Sequence, residues 1–217
     1  MKLKTLFLTS LLCGSVITGI ASPALAIEGS ADGKGAKSTA EIELIPGDTD
    51  VVTPPTNPTT PPGDIGNKGP LTIDYVTPLL FKTQKLDGKE QVYVSTVDDA
   101  NVQVTDKRGE EAGWTLRVSK TPFTDTTDAT KVLKGAKLIL PVGTLTQALT
   151  SVSVAPLLNS LEIKEDPATL MVAKTGAGAG TWTNVFKKEE VTLTVPAGNK
   201  VGEYVSTITW SLLDAPE

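Results

Sequence analysis

From residue 71 to residue 213 the chain is a series of short segments in which apolar and polar residues alternate, each closed by turn-forming residues. Residues 71–76, 91–95, 102–105, 114–118, 137–140, 151–154, 169–172, 191–195 and 204–213 all alternate or run apolar, and all are rich in Val, Thr, Leu or Ile. Side chains on an extended strand point to opposite faces in turn, so a period of two fits strands, whereas an amphipathic helix needs about 3.6. Between the segments stand Asp87-Gly88, Asp98-Asp99, Lys107-Arg108-Gly109, Pro141-Val142-Gly143, Asp166-Pro167 and Pro196-Ala197-Gly198-Asn199. Strands this short and this regularly punctuated predict an all-β fold, a β-sandwich or barrel-like single domain. Residues 145–158 contain one possible helical turn, but Val152 and Val154 return the segment to strand.

Upstream the composition changes. Residues 1–26 read as an export signal: Lys2 and Lys4 precede an apolar run, and Ala24-Leu25-Ala26 is a small-x-small cleavage pattern. That run is too short for a spanning helix, which needs about 20 residues, so no membrane insertion is expected after cleavage. Cys13 follows Leu12, where a lipoprotein signal wants a small residue. Residues 27–70 are expected to be a flexible N-terminal segment. Within it, residues 41–46 alternate and read as one candidate strand, and residues 53–63 are a Pro/Thr run. Proline fixes φ and lacks a donor, so the run predicts a solvated polyproline spacer of about 3 Å per residue. The all-β domain is expected over residues 71–217.

Beyond the signal the chain contains neither Cys nor His. Disulfides, cysteine nucleophiles, histidine bases and the usual zinc sites are thereby excluded. Cleavage would also take the formal charge from −5 to −7 by removing two lysines. With no basic cluster, nucleic acid is a poor partner. The acid pairs Asp98-Asp99, Glu110-Glu111 and Glu189-Glu190 sit beside turn residues, where carboxylates face solvent, and no alternating acidic loop of the calcium-binding type is present. A Ser or Thr nucleophile has no base beside it. Gly176-Ala177-Gly178-Ala179-Gly180 lacks the Lys-Ser/Thr that phosphate cradling requires, and reads as a mobile hairpin tip leading to Trp182, which either touches a ligand or, the preferred reading, caps the core edge. The expectation is a protein that is not an enzyme and uses no metal or cofactor.

Two segments carry the same signature: Trp114-Thr115-Leu116 and Trp210-Ser211-Leu212, the second in the final strand. On extended backbone Trp and Leu two residues apart share a face. They are either inward core residues or, if the indoles converge near a surface, an aromatic platform for sugar rings or another protein.

Val104 to Gly109 followed by Gly113-Trp114-Thr115-Leu116-Arg117-Val118, and the terminal Trp210-Ser211-Leu212-Leu213-Asp214-Ala215-Pro216, resemble the WxL-domain cell-surface proteins of Gram-positive bacteria. The resemblance spans essentially the whole chain after the signal. It implies a secreted protein held non-covalently at the wall, with peptidoglycan as ligand and with other WxL proteins and membrane-anchored WxL-interacting proteins as partners. Trp114, Leu116, Trp210 and Leu212 would be the binding-motif residues. No Leu-Pro-x-Thr-Gly sorting tail is present, so covalent attachment is not expected. The other reading the residues allow is a protein-interaction subunit retained at the wall through its partners.

Overall fold

A computed structural model describes residues 28–147 and 151–216. The proposed signal, residues 1–26, lies outside the described residues, as do residues 148–150. The chain divides into two compact units, Met1–Leu44 and Ile45–Glu217. In the first, β1 (Glu28–Gly29) pairs with β2 (Ala36–Lys37) in a two-stranded ribbon.

The second unit is all-β, with no helix among its described residues. One antiparallel sheet runs in the order β3 (Leu71–Val76), β5 (Asn101–Asp106), β13 (Gly180–Val185), β9 (Thr144–Gln147). Another runs β11 (Leu161–Ile163), β8 (Lys137–Leu140), β14 (Thr192–Val195), β4 (Gln91–Val94). The remaining four-stranded sheet is β10 (Leu157–Leu158), β12 (Ala168–Ala173), β6 (Trp114–Lys120), β16 (Ile208–Leu213). A ribbon of β7 (Thr124–Asp125) and β15 (Tyr204–Val205) extends the β6–β16 ladder. Pro122, which has no N–H to give, lies where the ladder breaks.

The apolar alternation of all three sheets meets in one core. Val104 and Trp182, Leu138 and Leu193, and Trp114 and Leu116 belong to the same buried cluster. The region expected as a single strand, 204–213, is two strands that pair with different partners. Residues 151–154 form no strand: Val154 makes an isolated parallel bridge to Ala177, and Val152 is fully exposed. Residues 41–46 are likewise outside any strand, with Ile42, Leu44 and Ile45 exposed.

The compact unit begins at Ile45, upstream of the expected boundary at residue 71, and takes in the Pro/Thr run, which is held against a sheet along one side rather than fully solvated. It lies over the polar face of the β3-β5-β13-β9 sheet, and its residues alternate between half-buried and exposed from Thr53 to Gly63. The Thr56 amide donates to Gln103 Oε1 at 2.7 Å, Gln103 Nε2 donates to the Pro54 carbonyl at 3.0 Å, and the Thr59 amide donates to the Tyr75 hydroxyl at 2.7 Å. Beneath them the buried Asp74 carboxylate accepts from Thr72, Gln103 and Thr105. Proline-interrupted backbone cannot join a ladder through every residue, and here sheet side chains bond the backbone of Pro54, Thr56, Asn57 and Thr59.

Replacing Gln103 by Ala removes the partner of both Thr56 N–H and Pro54 C=O. We expect a loss of about 2 kcal/mol in urea unfolding and Thr56 amide exchange near the unprotected rate. Protection of Thr56 equal to that of the parent would refute the strap geometry.

Candidate functional site

The two Trp-x-Leu segments lie on neighbouring antiparallel strands, β6 and β16. In their register Leu212 stands opposite Leu116, and Trp210 opposite Val118. Directly opposed residues share a face, so both tryptophans and both leucines point toward the core side. The leucines form a cross-strand pair. The indoles flank it on either side, and because Trp114 is four residues along β6 from Val118 they are offset by about 14 Å along the strands.

Their surroundings differ. Trp114 and Leu116 are completely buried. The Trp114 indole N–H donates to the Gly178 carbonyl at 3.0 Å, and a Cβ on Gly178 would come within 2.7 Å of Trp114 Nε1. Gly178 also has φ of +81°, so two independent constraints select glycine there. The glycine-rich run is therefore a lid packed on Trp114, and it links two different sheets rather than forming a hairpin tip. Trp182 is buried as well and donates to the Ala179 carbonyl at 3.1 Å. None of these residues presents a surface to a ligand.

Arg108 ties the buried end together. Its guanidinium donates to Asp106 at 2.9 and 2.7 Å, to the Gly113 carbonyl at 2.8 Å just before β6, and to Asp214 just after β16. Hydrogen bonding to Asp106 holds the guanidinium above its ordinary pKa despite burial. Thr115 Oγ1 adds a bond to the Ala215 carbonyl at 2.9 Å. Sequence spacing singled out the tryptophans but not this arginine, whose pairing depends on a residue at the far end of the chain.

Trp210 is half-buried and opens onto a groove of about 1600 Å³. Leu138 and Leu193 form part of its floor, Ile208 and Trp210 one side, and Phe81 and Tyr93 contribute further apolar lining. Phe123 and Tyr204 extend the aromatic lining, and Lys120 lies 5.2 Å over the Phe123 ring. Leu212, also half-buried, packs against the core between the two ends. The groove depends on residues 78–86, a stretch without regular structure that mixes Leu79, Leu80, Phe81 and Leu86 with Lys82, Thr83, Gln84 and Lys85, and in which Lys82 has φ of +51°. Its irregular backbone is why periodicity passed it over.

One groove wall is fixed by a carboxylate. Asp125 accepts from the Thr127 hydroxyl at 2.7 Å and from the Thr127 and Asp128 amides at 2.9 and 3.0 Å. These bonds, the hydroxyl foremost, hold its pKa below the usual carboxylate range. Gly202 approaches so closely that a Cβ would fall within 2.1 Å of Asp125 Oδ2. The acid pairs are elsewhere, at surface turns: Asp98 is bonded to Lys188 and Glu190 to Lys187. Among the described residues no group of three or more Cys, Asp or Glu is placed to hold a metal.

The model of one protein family, described as WxL domain, surface cell wall-binding, matches residues 31–216. The chain belongs to the WxL family. It is a cell-surface, cell wall-binding domain. Comparison with curated proteins and with solved structures returns no match. Within the WxL domain, then, the two motifs that give the family its name are paired strands whose first Trp is interior and whose second reaches the groove.

Trp114→Ala should destabilise the WxL domain by about 3–5 kcal/mol, as expected for deleting a buried indole, and Trp210→Ala by clearly less. Arg108→Ala, which strips the buried Asp106 of its cation, should cost about 3 kcal/mol. Equal losses for the two tryptophans in urea unfolding would contradict this division. For Asp125 the folded pKa lies below the unfolded value of about 3.9. Its contribution is therefore complete above that value and disappears as pH falls through the lowered folded value. The β7–β15 amides should stay protected from exchange at pH 5 and lose protection only below about pH 4, a dependence absent in Asp125→Asn.

Proposed function

We propose that the WxL domain is secreted to the surface of a Gram-positive cell and binds peptidoglycan in the groove bordered by Trp210. The observation that supports this most directly is the groove itself: an open, largely apolar channel lined in part by Trp210, Tyr93, Phe123 and Tyr204. Aromatic faces stack on the apolar faces of sugar rings, while tyrosine hydroxyls and neighbouring backbone groups bond their hydroxyls. Contacts of that kind are short-ranged and little screened by salt. The domain acts by holding on, and performs no chemistry on the glycan.

A second reading is that wall retention runs through other WxL proteins or membrane-anchored WxL-interacting proteins. The exposed apolar side chains of Ile42, Leu44, Val92 and Val94 favour some protein contact in addition to the wall.

The test is sedimentation with purified peptidoglycan. Parent protein should pellet with bare sacculi and remain bound in 0.5 M salt. Trp210→Ala, folded by circular dichroism, should bind at least tenfold more weakly, equivalent to about 1.4 kcal/mol. Trp114→Phe, which keeps the interior filled, should bind as the parent does. A parent protein that stays in the supernatant, or a Trp210→Ala variant that binds unchanged, would transfer the wall-binding role to another surface or to a partner.

A further inference from the structure

β4 is an edge strand of its sheet. Its inner residues Gln91 and Tyr93 alternate with Val92 and Val94, which are 59% and 46% exposed on the opposite face. One side of β4 pairs with β14. On its other side the Leu80 carbonyl takes the Thr96 N–H just beyond the strand, at 2.8 Å, and among the described residues no backbone hydrogen bond outside the β14 ladder reaches residues 91–94 themselves. An edge with free N–H and C=O groups and exposed valines is a template for another strand.

The same chain carries a segment suited to that edge. Glu41-Ile42-Glu43-Leu44 alternates acid and apolar residues before Ile45, and Ile42, Leu44 and Ile45 are 81%, 84% and 77% exposed. Ile42 and Leu44 are spaced like Val92 and Val94, two residues apart on one face. Glu41 and Glu43 would then fall on the opposite face, the one Tyr93 shares with the groove. The charged groove lining is Lys82, Lys85 and Lys200 against Glu203 alone, a local positive excess in an otherwise acidic chain. Apolar side chains thus meet apolar ones, and carboxylates meet ammonium groups.

We propose that residues 41–45 of one copy add as a strand to the outer edge of β4 in a second copy. The donating and accepting surfaces are different, so the contact is heterologous and propagates head to tail into open chains rather than closing a dimer. Such a chain would array many WxL domains side by side and raise avidity. The proposal does not rest on peptidoglycan being the ligand of the groove.

Engineered cysteines read this directly, since Cys13 is the one natural thiol and can be replaced. In a Cys13→Ser background, Leu44→Cys protein mixed with Val92→Cys or Val94→Cys protein should form a mixed disulfide dimer under mild oxidation. Leu44→Cys mixed with Val142→Cys, an exposed position away from the edge, should not. The parent should also show a mass that rises with concentration in analytical ultracentrifugation, and Ile42→Asp/Leu44→Asp should abolish the rise while still pelleting with peptidoglycan. Crosslinking no faster than the Val142 control, or a parent that stays monomeric up to about 100 μM, overturns the proposal. So does a Leu44→Cys/Val94→Cys chain whose disulfide closes within single molecules, which would mean each copy covers its own edge.

Discussion

The pairing of the last strand with β6 is the constraint on which the rest depends. Leu116 opposite Leu212 sets its register, and a slip of one residue would turn Trp210 and Leu212 outward together. Hydrophobic contact alone fixes the face but leaves the strand end free to fray. Arg108 prevents this by bonding Asp106, the Gly113 carbonyl and Asp214 at once, so the start of β6 and the end of β16 share one cation. A planar guanidinium with five donors can satisfy such a set, whereas a lysine ammonium could not match the fork at Asp106.

With that end pinned, the two ends of the ladder take on different tasks. Beneath the glycine lid the sheet is closed over Trp114, whose indole N–H finds a carbonyl only because Gly178 allows the backbone so near. At the other end the ladder breaks near Pro122 and restarts as β7–β15, leaving Trp210 beside the groove. The same Trp-x-Leu motif therefore yields a core anchor in one copy and a groove-lining edge in the other. What differs is the cover each receives from elsewhere in the chain.

Much of the fold was legible because alternation is a local property. Most segments with a clean period of two became strands within a residue or two of their expected limits, and the all-β class followed. Strand β13 was missed because Asn184 sits where an inward apolar residue would complete the pattern after Trp182. The Pro/Thr strap was misjudged for a different reason. Composition specifies its extended backbone but not its contacts, and a row of outward Thr, Gln and Asp residues reads the same whether water or another segment covers it. Only Gln103 and Tyr75 bonding to Thr56 and Thr59 distinguish the two cases. For the site, sequence identified the strands and their shared face, but not which indole reaches the surface. That choice is made by Gly178 and by residues 78–86, which belong to no periodic pattern.

The strap also bears on how a surface domain without disulfides resists loosening. Its sheet has one apolar face in the core and one polar face that would otherwise meet water, where exposed ladders exchange and fray most readily. Covering that face with a chain segment too proline-rich to propagate a ladder protects it without offering a new edge. Inside, Asp74 organises three donors, so that displacing the strap would expose a connected polar network rather than single bonds. The domain thus closes one sheet face with its own upstream chain and closes the β6 end with Arg108. The groove beside Trp210 and the outer side of β4 receive no such cover.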